Sequence, residues 1–109
     1  IKYIGKIGRD LTVDQGYDAA RMCGLNLIAQ VKAACNGDLD RVKRVVKLGA
    51  FVNCVEDFKE HPNVVNGASD LMAEVFDDAG RCSRTNAGVP SLPLGFAVEI
   101  DGVFEIENK

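Results

Sequence analysis

No apolar run in the chain approaches the roughly 20 residues that a membrane-spanning helix requires, and no stretch resembles a signal peptide. Membrane is therefore not an expected partner. Because the chain begins at Ile1 rather than methionine, its natural start is expected upstream. Histidine occurs once, as His61 before Pro62, and with no second histidine it reads as a surface residue. The four cysteines, Cys23, Cys35, Cys54 and Cys82, form no C-x-x-C pair and no short Cys/His spacing, which argues against zinc. On one helix, Cys23 and Cys35 would stand about 18 Å apart at ~1.5 Å rise per residue, too far for a disulfide. The cysteines read as buried, reduced thiols of a cytoplasmic protein. Basic clusters are equally scarce. Arg41-Val-Lys-Arg44, with Lys47 beyond, alternates with apolar residues as a solvated strand edge does. A net charge of −3, two tyrosines and no aromatic-basic cluster argue against nucleic acid.

What is present fits one globular domain over residues 1–109, with 47% hydrophobic and 27% charged residues. Residues 2–7 alternate weakly and read as a short strand. Thr12 and Gln15 are spaced as a capping box. Behind them Tyr17, Ala20, Gly24, Leu27, Ile28, Val31, Ala34 and Cys35 recur in steps of three and four, predicting an amphipathic helix of about six turns. Gly24 within that stripe predicts close approach to a sheet, and Asn36-Gly37 ends the helix. Residues 42–55 predict a long strand. One face carries Val46, Leu48, Ala50, Val52 and Cys54, and a mixed face carries Val45, Lys47, Gly49, Phe51 and Asn53.

Pro62 suits a helix first turn, and Val64, Val65, Ala68, Leu71, Met72, Val75 and Phe76 follow at helical spacing until Ala79-Gly80. Residues 81–89 and 95–106 predict two more strands, kept apart by Pro90 and Pro93. The order β-α-β-α-β-β predicts an α+β two-layer sandwich, with two helices on one face of a mostly antiparallel sheet. The uncovered face holds Val45, Phe51 and Val103, too apolar for solvent alone, which suits an oligomer interface containing a polar pocket.

Two charges stand out in segments that otherwise read as core. Counting by twos along 81–89 gives one set of Ser83, Thr85, Ala87 and Val89, the drier set, which is assigned to the helix side. Cys82, Arg84, Asn86 and Gly88 are then expected on the uncovered face. In the last strand Phe96, Val98 and Ile100 claim the helix side, leaving Ala97, Glu99 and Asp101 to point the same way as Arg84. A guanidinium and a carboxylate converging there are either a cross-strand ion pair, worth under ~1 kcal/mol, or a small-molecule site. In the second case the arginine fork clamps a carboxylate and the glutamate orients a water. The sequence shows neither metal-ligand spacing nor a Ser/His or Cys/His pair that would suggest other chemistry.

The segment Arg84-Thr-Asn-Ala-Gly-Val-Pro-Ser-Leu-Pro93, followed by Val98-Glu99-Ile100, resembles the signature of the YjgF/RidA family of reactive-intermediate deaminases. That signature is an arginine, a hydroxyl residue, Leu-Pro, then a glutamate on the final strand. The similarity covers essentially the whole chain. Val45-Val-Lys-Leu-Gly-Ala-Phe-Val-Asn53 and Val65-Asn-Gly-Ala-Ser-Asp-Leu71 look like one particular branch. The resemblance implies a chorismate-mutase-like fold and a homotrimer with clefts between subunits. It implies hydrolysis of enamines or imines, such as 2-aminoacrylate shed by pyridoxal-phosphate enzymes, to 2-keto acids and ammonia, without a cofactor. Arg84 matches the arginine that holds the substrate carboxylate, Thr85 and Asn86 occupy the adjoining substrate-binding positions, and Glu99 matches the glutamate that positions the attacking water.

Thr85 stands where serine is frequent and Asn86 where cysteine is frequent. The family normally opens with a β-hairpin that would precede Ile1, so this chain is expected to lack that hairpin. The alternative reading is a non-catalytic protein that binds small carboxylates or 2-keto acids in the same cleft. RNA cleavage, attached to relatives of the endoribonuclease L-PSP type, fits the acidic balance least.

Overall fold

The structure is a computed structural model and describes residues 3–108. Its regular elements are helix α1 (Val13–Ala34), strand β1 (Val42–Asn53), helix α2 (His61–Phe76), strand β2 (Ser83–Val89) and strand β3 (Val98–Ile106). Single 3-10 turns at Leu39–Arg41, Asp77–Gly80 and Pro93–Gly95 link them. The strands form one sheet in the order β2-β1-β3, with β1 parallel to β2 and antiparallel to β3. The α+β layering matches expectation, but the sheet is mixed rather than mostly antiparallel. Helix α2 carries the chain back along the sheet, so β2 enters beside β1 in the same direction, as a β-α-β crossover requires.

The strand expected over residues 2–7 does not form over its described part, residues 3–7; Lys2 lies outside the described residues. Ile4 makes an isolated bridge to Phe96, and Ile7 makes others to Leu11 and Cys54. Gly5 and Gly8 take φ of 128° and 96°, which turns the backbone away from a continuous ladder.

The α1 start is the expected capping box. The Gln15 N–H donates to Thr12 Oγ1 at 3.1 Å, and the Thr12 N–H donates to Gln15 Oε1 at 2.9 Å. The core lies between the helices and one face of β1, where Leu48, Ala50, Val52 and Cys54 meet Val64, Val65, Ala68, Leu71 and Met72. Leu48 and Met72 are fully buried, each worth about 1.5–3 kcal/mol relative to exposure.

Two details differ from the period-two and helical readings. Val45 rather than Val46 is buried, because pairing shifts register between Val45 and Lys47 and one irregular residue inverts the alternation. Gly24 approaches α2, not the sheet: a Cβ there would lie 3.0 Å from Leu71 Cδ2. Gly67 answers it on α2, where a Cβ would run into the Tyr17 carbonyl. Small residues thus set the spacing of the helix layer.

Asn53 is a buried polar residue at 4% exposure, and it is satisfied. Its side chain donates to the Phe96 carbonyl at 3.1 Å and accepts from Lys6 Nζ at 3.0 Å. Its backbone N–H donates to Ala97 O, and its carbonyl accepts from the Ile7 N–H. On the uncovered face Phe51 and Val103 remain 43% and 56% exposed. No helix among the described residues is long and apolar enough to cross a membrane.

Candidate functional site

Arg84 pairs with Leu48 across the parallel β1–β2 ladder, so both side chains leave the sheet on the same side. Leu48 is buried beneath the helices, so Arg84 also faces them. Its Nη1 donates to Ser69 Oγ at 2.9 Å and its Nη2 to the Pro62 carbonyl at 3.3 Å, both on α2. Glu99 pairs with the exposed Phe51 and projects from the opposite, uncovered face. The expectation that the two charges share one face is therefore wrong, and no single-chain crevice brings them together.

The reason lies in the position of β2. As an edge strand it lets a long side chain run past the sheet border to polar groups on α2. The drier appearance of Ser83, Thr85 and Ala87 misled the assignment; all three are exposed. Asn86, opposite buried Ala50, lies on the Arg84 side. Thr85, expected toward the helices, lies on the Glu99 side instead. It adjoins Gly49, and a Cβ at Gly49 would stand 2.5 Å from Asp101 Oδ1. The predicted residues thus divide into two groups, Arg84 with Asn86 and Thr85 with Glu99.

A second constellation was missed. Cys54 at the end of β1 and His61 at the start of α2 meet with Sγ and Nε2 3.5 Å apart. His61 is half-buried rather than a surface residue, and a Cys/His pair does exist. The Phe58 ring meets the His61 ring edge-on, with centroids 5.2 Å apart. The loop between β1 and α2 folds back on itself, a return that neither residue's local spacing announces. A weak sequence signal was Gly88, at a position facing the helices: a Cβ there would lie 2.8 Å from Cys54 Sγ and overlap His61 Nε2.

The pair lines an open cleft of about 730 Å³, with Lys6, Phe58, Val89 and Pro90 among its walls. Lys6 Nζ donates to Asn53 Oδ1 and to the Pro90 carbonyl, both neutral acceptors. Arg9, at the rim, is instead bound to Asp10 at 2.8 Å. That bond, together with the Lys6 backbone N–H, holds the Asp10 carboxyl down at about 2.

All four cysteines are free. Burial pushes the Cys54 and Cys82 thiols up, and Cys23 is raised by burial and then by the Glu99 charge. Cys23 and Cys82 are only half-buried, less enclosed than expected. Among the described residues, no three His, Cys, Asp or Glu side chains converge to hold a metal ion.

Residues 1–103 match the family described as "YjgF/chorismate_mutase-like, putative endoribonuclease". Protein TCP17 of Trypanosoma cruzi is 51% identical over 105 residues, which are 95% of this chain. The chain spans 65% of the length of that relative. Among solved structures, the protein Atu1372 with unknown function from Agrobacterium tumefaciens superposes with a TM-score of 0.97 at 46% identity, covering 99% of this chain and 69% of that one. A protein from Shewanella oneidensis described as a "putative endoribonuclease" gives a TM-score of 0.87 at 42% identity, covering 91% of this chain and 65% of that one.

Proposed function

We propose that this chain, which belongs to the YjgF/chorismate-mutase-like family of RidA-type proteins, hydrolyses small carboxylate-bearing enamines and imines to 2-keto acids and ammonia. The observation that carries this reading is the environment of Arg84. Its guanidinium is half-buried between β2 and α2 and is oriented by two neutral oxygens, those of Ser69 and Pro62. No ion pair among the described residues joins it to a carboxylate. The fork is therefore positioned while its charge is uncompensated, which favours a ligand carboxylate through charge-assisted bonds. Asn86, on the same side of β2, offers an amide to the same ligand.

Glu99 enters from a neighbouring copy. It stands beside Phe51 on a face whose exposed Phe51 and Val103 favour coverage by another subunit. In a homotrimer, Arg84 of one subunit and Glu99 of the next complete each cleft. With the substrate carboxylate on Arg84, the enamine tautomerises to the imine, its β-carbon gaining a proton as its nitrogen loses one. Glu99 takes a proton as water adds to the C=N carbon and returns it to the nitrogen, so the carbinolamine expels ammonia and its hydroxyl proton is lost to leave the keto group. An imine carbon is already electrophilic, so orientation and a dry cleft supply most of the rate.

The test is ammonia release from 2-aminoacrylate generated in place by a pyridoxal-phosphate lyase. Arg84→Ala and Glu99→Gln are each expected to lose activity. Oligomers reassembled from a mixture of the two variants are expected to regain part of it, since some clefts then hold both native residues. Full activity in Arg84→Ala ends the proposal. The separation of Arg84 and Glu99 within one chain favours a second reading, saturable binding of 2-keto acids without turnover. Pyruvate binding with no ammonia release from any native assembly would establish that reading.

A further inference from the structure

The cleft holding Cys54 and His61 has no part in the Arg84 reading. It lies where the parallel strands β1 and β2 both end and α2 begins. Ligands commonly seat outside the carboxyl ends of parallel strands, because the chain diverges there and leaves room.

Several independent features converge on it. Cys54 Sγ and His61 Nε2 are within hydrogen-bonding reach at 3.5 Å. Gly88 leaves room for that contact, and Phe58 braces the imidazole edge-on. Burial keeps Cys54 a neutral thiol at rest, so its nucleophilicity depends on a base within reach, the role an adjacent imidazole fills in activated thiols. Among the described residues the Lys6 ammonium donates to neutral acceptors alone, with the Asp10 carboxylate acting on it only through space, whereas Arg9 is directly paired with Asp10. Val55, Phe58, Val89 and Pro90 give the walls an apolar character suited to a short carbon skeleton.

We propose that this cleft is a thiol-addition site for small α,β-unsaturated carboxylates. Lys6 holds the carboxylate. Cys54 Sγ bonds to the β-carbon as His61 Nε2 accepts the sulfur's proton. The electron pair of the double bond moves to the α-carbon, which then takes that proton from His61. The product is a saturated thioether on Cys54; every atom of thiol and alkene is retained, and no oxidant or reductant is consumed.

Monomethyl fumarate, an activated alkene carrying one carboxylate, is the probe, with adducts located by digestion and mass spectrometry of the intact chain. Cys54 is only 7% exposed, so accessibility alone ranks it behind Cys23 and Cys82. The expected result is the reverse, with Cys54 labelled first. In His61→Gln its rate falls by roughly 100-fold, as loss of a positioned base predicts, while Cys23 and Cys82 react as before. Lys6→Met abolishes the preference of Cys54 for the monoester over the uncharged dimethyl ester. Arg84→Ala leaves the Cys54 rate unchanged. Labelling of Cys54 no faster than Cys23 or Cys82, or at the native rate in His61→Gln, overturns the proposal. A variant that had lost its fold would label all four cysteines faster, a signature opposite to the expected one.

Discussion

Leu48 and Arg84 are register partners on neighbouring parallel strands, and their side chains leave the sheet together toward the helices. One ends in the core and the other at two oxygens of α2. This pairing decides which surface carries the guanidinium, and with it how any carboxylate-binding site is assembled.

Arg84→Met should separate binding from folding. Methionine keeps an unbranched stem but loses the bonds to Ser69 Oγ and the Pro62 carbonyl, so the free energy of unfolding in urea should fall by about 1–3 kcal/mol with the fold retained. Pyruvate affinity, followed by calorimetry, should fall about 10-fold or more, since hydrogen bonds to a charged group are worth roughly 1.5–3 kcal/mol. Unchanged affinity would remove Arg84 from the site.

In the homotrimer proposed above, Phe51→Glu should disperse the assembly. It places a second carboxylate directly across the ladder from Glu99 and removes an exposed apolar ring. Light scattering should report a monomer with unaltered far-ultraviolet dichroism, and the proposed ammonia release should vanish with the oligomer. An active monomer would show that no neighbour contributes to the chemistry.

Gly67→Ala should loosen the helix layer. The new methyl group would overlap the Tyr17 carbonyl, a backbone atom that cannot swing aside. Thermal unfolding should show a loss of about 1–3 kcal/mol, the usual cost of overpacking. Melting at the native temperature would mean that α1 and α2 slide apart freely.

Asp10 should leave a trace in the acid limb of stability. Its carboxyl, held by Arg9 and the Lys6 N–H, sits at about 2 when folded, below its unfolded value of about 4. Its contribution is therefore complete above pH ~4 and disappears as pH falls toward ~2. The native protein and Asp10→Asn should differ in melting temperature near neutrality and converge at the acid end. A difference constant across that range would contradict the assignment.

The elements were legible where short-range chemistry dictates them. Thr12 and Gln15 announced the start of α1, and the apolar face of Leu48, Ala50, Val52 and Cys54 announced the buried side of β1. What failed needed information from outside the segment concerned. Valine at both 45 and 46 gives no hint of which one a register shift will bury. The faces of β2 were inverted because an edge strand's long cation can reach a second layer, whereas alternation treats every polar residue as solvent-seeking. Parallel pairing of β1 and β2 follows from how α2 returns the chain, and the Cys54–His61 contact from how the loop between them bends. The resemblance to the deaminase signature located Arg84 and Glu99 in the chain but carried no statement of which face each takes.

Asn53 has a consequence for the order in which the molecule takes shape. Its amide is satisfied only when Lys6 and Phe96, 47 and 43 residues away in sequence, have both arrived. Contacts of such separation close after the local turns of the helices have formed. The Lys6 wall of the cleft thus settles later than α1 and α2 during refolding, and its amides should gain protection from hydrogen exchange after theirs.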